Sequence, residues 1–246
     1  YWHFFDNKNE FNTLFADQVK RAWLNLRDAT PEQFREFVEG KGPLICKPLD
    51  GSSGQGILKT TPEQMARPDA LYNSLKDAGI GIVEECVVQH PDLAALCPTS
   101  VNTLRIATLL GDKKQGVVYA YIRIGNGKVM DNVDCGGMAA PIDLETGVIR
   151  AVGANKAGEA FEFHPMTGKR IPGTAIPFWK EAVRMCLDAS RVVPQVRFVA
   201  WDVAITPTGP VFIEGNSFPS HAIPQFAAHF PDGIGILPRF KEFIDL

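Results

Sequence analysis

The sequence predicts an α+β fold: a small β-rich lobe followed by a larger lobe built on an antiparallel sheet. Three observations carry that expectation. Strand-like and helix-like stretches do not alternate regularly along the 246 residues, which argues against a doubly wound parallel sheet. Between 101 and 133, short apolar runs are separated by Gly111-Asp112 and Gly125-Asn126-Gly127, the turn signals of a meander. Near the end, an amphipathic helix pattern precedes a strand–turn–strand stretch, "FVAWDVAITPTGPVFIEGN".

Residues 1–40 read as a helical segment, with Phe11, Leu14, Phe15, Val19 and Trp23 at helical spacing. Thr30-Pro31-Glu32-Gln33 offers an N-cap, a proline in the first turn and a capping-box glutamine. Thr61-Pro62-Glu63-Gln64 opens a second helix in the same way, without making an internal repeat. Residues 41–90 read as the small lobe: a strand at 43–48, a glycine loop, a strand at 56–60, a helix at 70–78 and a strand at 81–88. Residues 91–246 read as the large lobe. Its β-rich runs are 101–110, 116–124 and 129–133, followed by a helix at 178–192, the hairpin 198–214 and a short helix at 237–243.

Composition narrows the function. With 45% hydrophobic and 22% charged residues the chain has enough apolar content for a sizeable core. Net charge is −3 and no basic run occurs, so nucleic acid is not an expected partner. No stretch of eighteen apolar residues and no signal peptide is visible, so no membrane span is expected. Five scattered cysteines, at 46, 86, 97, 135 and 186, fit reduced thiols in a cytoplasmic protein. The abrupt start "YWHFFDNK", without Met, fits a fragment or a processed chain.

The stretch "ICKPLDGSSGQGI" places Lys47 just before a loop of small residues, Gly51, Ser52, Ser53, Gly54, Gln55 and Gly56. A bland reading is a linker, but the loop lies between two apolar runs. Gly51 and Gly56 have P-loop spacing, yet Ile57-Leu58 stand where that motif needs Lys and Ser/Thr. A protein kinase carries its lysine after the glycine loop, whereas Lys47 precedes it. What remains is a strand, a lysine and a loop whose N–H groups can approach phosphate oxygens without a Cβ in the way.

In the hairpin, Pro207-Thr208-Gly209 suits a three-residue loop. That loop pairs Thr206 with Pro210 and sets Asp202 opposite Glu214, with Asn216 on the same side. Facing carboxylates repel unless a cation intervenes. Two carboxylates and an amide oxygen suit Mg²⁺, which keeps waters and shares phosphate ligands. On this reading Asp202→Asn leaves metal-free stability unchanged or raised. Val203, Ile205, Val211 and Ile213 make the opposite face apolar; incidental acids on a half-solvated hairpin are the bland alternative. Arg105 and Arg123 interrupt apolar β runs and need anionic partners, such as phosphate oxygens, unless they lie on a solvated face. Glu84-Glu85 breaks an apolar strand, as a strand edge or as a hinge between lobes.

Taken together, "KPLDGSSGQGI", "VEECVVQHPDLAALCPTSVNTLRIATL", "IRIGNGKVMDNVDCGGMAAPIDLETG" and "WDVAITPTGPVFIEGN" resemble the sugar-transfer-associated family of the ATP-grasp superfamily. The ordered set of "KPxxGSSGxG", "NTLR", "NxxxGG" and "WD…EGN" carries the resemblance over residues 6–216. It implies a nucleotide between the two lobes. Lys47 and Lys8 match its two ATP lysines, the 51–56 loop its phosphate cover, and Glu84, Glu85 and Val87 its adenine hinge. Arg105 and Arg123 match arginines near the γ-phosphate, and Asp202, Glu214 and Asn216 match the metal trio. Little sequence precedes Lys8, where many such ligases carry a further domain. Cys135 reads as a small core thiol, and His221 as a loop residue with or without an acceptor contact.

The resemblance implies ATP and Mg²⁺, with Mn²⁺ as an alternative ion, and a carboxylate–amine ligase working through an acyl phosphate. Its substrates would be a small carboxylate and an amine or sugar-linked acceptor, in cytoplasmic assembly of cell-surface polysaccharide or a related conjugate. A phosphotransferase with the same nucleotide site is the second reading, and a nucleotide-binding module without turnover the third. No residue pattern marks the acceptor.

Overall fold

A computed structural model of the chain describes residues 1–49, 56–127, 131, 133 and 136–246. Helices α1 (His3–Asp6), α2 (Lys8–Leu14) and α3 (Ala16–Val19) open it. Their apolar positions Phe5, Phe11, Phe15 and Val19 are buried in the core of the large lobe. The helical reading of 1–40 breaks down after Val19. Lys20 ends α3 in the left-handed region at φ 56°, and Trp23–Asn25 form strand β1. β1 pairs antiparallel with β4 (Ile82–Glu85). Trp23 sits at a helix-like interval yet belongs to a strand, because an adjacent edge offers its backbone hydrogen bonds. Leu26, Phe34 and Val38 then join the small-lobe core, so the first forty residues are shared between the two lobes.

Helix α4 (Pro31–Val38) starts with the expected capping box: Thr30 Oγ1 accepts from Gln33 N, and Gln33 Oε1 accepts from Thr30 N at 2.9 Å. Helix α5 (Pro62–Met65) repeats it with Thr61 and Gln64. Among the described residues the small sheet runs β1-β4-β2-β3, with β2 at Leu44–Lys47 and β3 at Leu58–Lys59. Helix α6 (Pro68–Asp77) and α4 cover one face, burying Leu44, Cys46 and Val83. Alternation therefore turns Lys47 and Glu84 to the opposite face.

After the short helix α7 (Pro91–Ala94) comes the large sheet, in order β11-β10-β5-β6-β7-β8-β9 among the described residues. Its strands are β5 (Leu104–Leu110), β6 (Gln115–Ile124), β7 (Met138–Pro141), β8 (Gly153–Ala154) and β9 (Ala160–Phe161). The set ends with β10 (Phe198–Thr206) and β11 (Gly209–Asn216), and all pairings are antiparallel. Most of the run expected at 129–133 lies outside the described residues. Helix α8 (Trp179–Ser190) and the N-terminal helices bury one face, with Leu104, Ile106, Ile122, Trp201 and Val203. Trp201 stacks on Phe212 at 4.8 Å, and its indole N–H donates to Thr108 Oγ1 at 2.9 Å. The other face carries Ala107, Tyr119, Tyr121 and Ala200 under the C-terminal segment, which includes α9 (Leu237–Lys241). Arg105, Arg123 and Asp202 share that second face by alternation.

The hairpin corrects the expected loop. Thr206 pairs with Gly209, so the turn is the two residues Pro207-Thr208. Thr206 Oγ1 closes it by accepting from Thr208 N and donating to Gly209 O at 2.8 Å. The shorter loop alone would set Asp202 opposite Ile213. An irregularity in the register between Asp202 and Val203 restores the Asp202–Glu214 pairing. The apolar face changes with it. Phe212 takes the place opposite Val203 that Ile213 was expected to fill, while Val211 pairs with Ala204 on the other face.

Candidate active site

Lys47 ends β2 and reaches Glu84 of the neighbouring strand, Nζ to Oε2 at 2.5 Å. Glu84 is 2% exposed. Its Oε1 accepts from Arg21 Nη2 at 2.9 Å and from Asn12 Nδ2 at 2.6 Å. Burial alone would push the Glu84 carboxyl up, but Lys47 and then Arg21 outweigh it and hold the group at about 2. A buried carboxylate with two cations and an amide donor is a fully satisfied group.

On the large sheet Arg105 and Arg123 converge on one carboxylate. Arg105 donates to both oxygens of Asp202, Nη2 to Oδ2 at 2.9 Å, and Arg123 Nη2 adds a contact to Oδ2 at 2.8 Å. Arg123 also donates Nε and Nη2 to Thr103 Oγ1 at 2.9 and 2.7 Å. Thr103 in turn donates its hydroxyl, and its N–H at 2.8 Å, to Asp131. Asp202 is fully buried. Burial pushes its carboxyl up, but the two arginines prevail and hold it low. Glu214 moves the other way, raised by burial and by the neighbouring charge of Asp202. The expected repulsion between these acids therefore falls on Glu214, whose raised carboxyl is hydrogen-bonded to Asp202, while the two arginines find their anion within the protein itself.

Where the two sheets and the N-terminal helices meet lies a cavity of about 440 Å³, lined by Lys8, Lys47, Glu84, Glu214 and Asn216 among others. Its lining carries both signs of charge, with Glu84 paired to Lys47, and Asp202 with its two arginines adjoins Glu214 across the hairpin.

Comparison with known proteins decides the family. The model of the sugar-transfer associated ATP-grasp family matches residues 4–243. The chain belongs to that family. The D-alanine-D-alanine ligase of Coxiella burnetii is similar in structure at 14% identity and a TM-score of 0.53, over 98% of this chain and 57% of that one. The D-alanine–D-alanine ligase of Bacillus anthracis matches at 13% identity and a TM-score of 0.50, over 97% and 66%. The D-cycloserine synthetase DcsG matches at 12% identity and a TM-score of 0.55, over 98% and 69%. The chain thus spans little more than half the length of the Coxiella enzyme. These likenesses establish the ATP-grasp fold. No curated protein matches the chain.

Within this ATP-grasp fold the expected site residues separate into groups. Lys8, Lys47, Glu84, Glu214 and Asn216 share the cavity. Lys8 also donates to Leu49 O at 3.1 Å, which ties α2 to the exit of β2. Arg105, Arg123 and Asp202 form the layer behind. Glu85 is at the surface, paired with Lys41 at 3.0 Å and accepting from Ala22 N at 3.0 Å. Val87 lies past the end of β4, half-buried. The Glu84 side chain, expected at an adenine hinge, is instead committed to Lys47 and Arg21. Gly51, Ser52, Ser53, Gly54 and Gln55, and also Cys135, lie outside the described residues; Gly56 adopts φ 72°, where a Cβ would meet Pro48 Cγ at 2.8 Å. His221 stacks on Phe198 at 5.9 Å under the C-terminal segment.

Sequence reasoning missed Arg21, Asn12, Thr103 and Asp131. Asn12 had a signal, as a polar residue between the apolar positions Phe11 and Phe15. Thr103 had one too, two residues before Arg105 in "NTLR". Asp131 lies in a quoted motif but follows no spacing that points to Arg123, and nothing marks Arg21.

The donor set fits a hard divalent cation in part. Glu214 and Asn216 face the cavity, and the amide nitrogen of Asn216 donates to Ala200 O at 3.3 Å, which leaves its oxygen for a ligand. Asp202 has both oxygens engaged by arginines, so it would share its charge rather than present a free edge. Among the described residues no cluster of three His, Cys, Asp or Glu side chains is placed to hold a metal. Cys46, Cys86, Cys97 and Cys186 are free thiols. No helix among the described residues is long and apolar enough to cross a membrane.

Proposed function

We propose that the chain is an ATP- and Mg²⁺-dependent ligase that joins a small carboxylate to an amine or related nucleophile through an acyl phosphate. The observation that carries this reading is the shared cavity, whose lining brings Lys8 and Lys47 together with Glu214 and Asn216. Two ammonium groups suit phosphate oxygens, and Glu214 and Asn216 would hold Mg²⁺, with Mn²⁺ able to replace it. Bound there, the cation would neutralise charge on the β- and γ-phosphates. Lys47 would be shared between Glu84 and a phosphate. Arg105 and Arg123 would keep a fixed positive field behind the site, preorganised by Asp202. The attacking carboxylate is already ionised, so the first step needs no general base. Its oxygen bonds to the γ-phosphorus as ADP leaves, and the amine then bonds to the acyl carbon as the C–O bond to phosphate breaks, the amine's proton leaving with the phosphate as hydrogen phosphate.

The fold supports the ligase side of this reading, since solved proteins of similar structure are named as ligases and synthetases. The family's description as sugar-transfer associated supports a sugar-linked acceptor, and on this reading the reaction serves cytoplasmic assembly of cell-surface polysaccharide or a related conjugate. The test is incubation with Mg·ATP and panels of carboxylates and amines, reading ADP and phosphate, with hydroxylamine to trap acyl phosphate. Hydroxamate formation is expected. A stable phosphorylated product without hydroxamate would instead mark a phosphotransferase.

A further inference from the structure

Arg21 is a buried cation that the proposed reaction does not use. Its side chain is 7% exposed and lies between α3 and β1, directed by the left-handed Lys20 before it. Both arms of the guanidinium reach the β10–β11 hairpin: Nη1 donates to Phe212 O at 2.5 Å, and Nη2 lies 3.4 Å from Ile213 O. Nη2 also donates to Glu84 Oε1 at 2.9 Å, and the other oxygen of Glu84 holds Lys47 Nζ at 2.5 Å.

We infer that Arg21 is a positioning residue that couples the phosphate lysine Lys47 to the metal-ligand pair of the hairpin, and that metal–nucleotide binding at this site requires its guanidinium. The inference rests on the function proposed above. Phe212 and Ile213 are the residues at which the hairpin register shifts, and that shift is what sets Glu214 opposite Asp202. Losing it would move Ile213 into that place, since a one-residue slip exchanges the two faces of a strand. The carbonyls at the irregularity are the groups that Arg21 satisfies. A continuous chain therefore runs from Lys47 through Glu84 and Arg21 to the backbone immediately before Glu214. A guanidinium can serve both ends because it is a rigid planar fork; an ammonium is a point donor and cannot span them.

The test uses Mn²⁺ as a paramagnetic probe, titrated with ADP and read by electron paramagnetic resonance, on the parent, Arg21→Gln, Arg21→Lys and Val193→Ala. Val193 is buried in the same core, on the segment after α8, so its truncation supplies a destabilised control away from the cavity. Thermal melts on each variant establish that the titrated protein is folded. Both Arg21 variants should bind Mn·ADP at least about tenfold more weakly, the loss typical of a group that orients a metal ligand. Val193→Ala should melt earlier and keep parental affinity. Arg21→Lys retains a buried charge and carries the test if Arg21→Gln does not fold. Parental affinity in a folded Arg21→Lys would overturn the inference alone. Failure of the parent itself to bind Mn·ADP would overturn the proposed function and the inference with it.

Discussion

Asp202→Asn should lower the stability of the metal-free protein, while Glu214→Gln should not. Asp202 is fully buried and pairs with both Arg105 and Arg123, the second of which also lies 3.6 Å from Asp131. Removing one partner of a buried ion pair costs about 3–5 kcal/mol, because the remaining charge stays buried. Asparagine keeps one oxygen that can still accept from an arginine, which puts the loss near 3 kcal/mol, the lower end of that range. For a chain of this size each kcal/mol lowers Tm by about 2–4 °C, so Asp202→Asn should melt roughly 6–12 °C early. Glu214 stands in the opposite situation. Burial and the charge of Asp202 raise its pKa, so the fold disfavours its ionised form and an isosteric amide removes that penalty. Its contribution to stability is present below the ordinary carboxyl range and is lost as pH rises through its raised folded value. Glu214→Gln should flatten that slope and leave Tm at neutral pH unchanged or higher. Thermal melts and urea titrations without metal or nucleotide, from acid to neutral pH, check both variants. An Asp202→Asn protein as stable as the parent would refute the reasoning and restore simple repulsion between the two acids.

Lys47→Ala should weaken ATP binding by calorimetry and lower stability by about 1.5–3 kcal/mol, since Glu84 loses one charged hydrogen bond but keeps Arg21 and Asn12. Glu84 is held at about 2, against an ordinary 4.5, so it contributes stability above its unfolded value that is lost as pH falls toward 2. That shift corresponds to about 3 kcal/mol at neutral pH. Glu84→Gln should lose it and show a flatter acid limb; an unaltered acid transition would count against the buried pair. Gly215→Ala should destabilise by about 1–3 kcal/mol through overpacking. Its Cβ would meet Phe11 Cε2 and Phe5 Cδ1 at 2.8 Å. Protease cleavage within residues 1–20 should then become faster than in the parent.

What could be read from the sequence depended on how far each interaction reaches along the chain. The two capping boxes close within three residues, so Thr30 with Gln33 and Thr61 with Gln64 were legible without any fold. The run at 116–124 was legible as a strand, and alternation along β6 sets Tyr119, Tyr121 and Arg123 on one face, because period two is a property of the strand itself. Lys47 before a glycine loop, and two acids in one hairpin, could be found by spacing and tested against known phosphate grips. Asp202 opposite Glu214 was reached from a loop one residue too long, and the irregularity in register compensated. Nothing in "VFIEGN" distinguishes an irregular Ile213 from an ordinary strand residue. The guanidinium that meets its carbonyl comes from Arg21, 192 positions away. Strand β1 depended on the free edge of β4, some sixty residues on. The partners of the buried charges were equally distant: Arg105 and Asp202 lie 97 apart, and Lys47 and Glu84 lie 37 apart. The sequence by itself therefore determined the two capped helix starts and that Lys47, Arg105, Arg123, Asp202 and Glu214 carry charge within β-forming runs. Only the tertiary structure decided which buried cation meets which buried anion, because desolvation forces each charge to find a partner and chain closure decides which one is within reach.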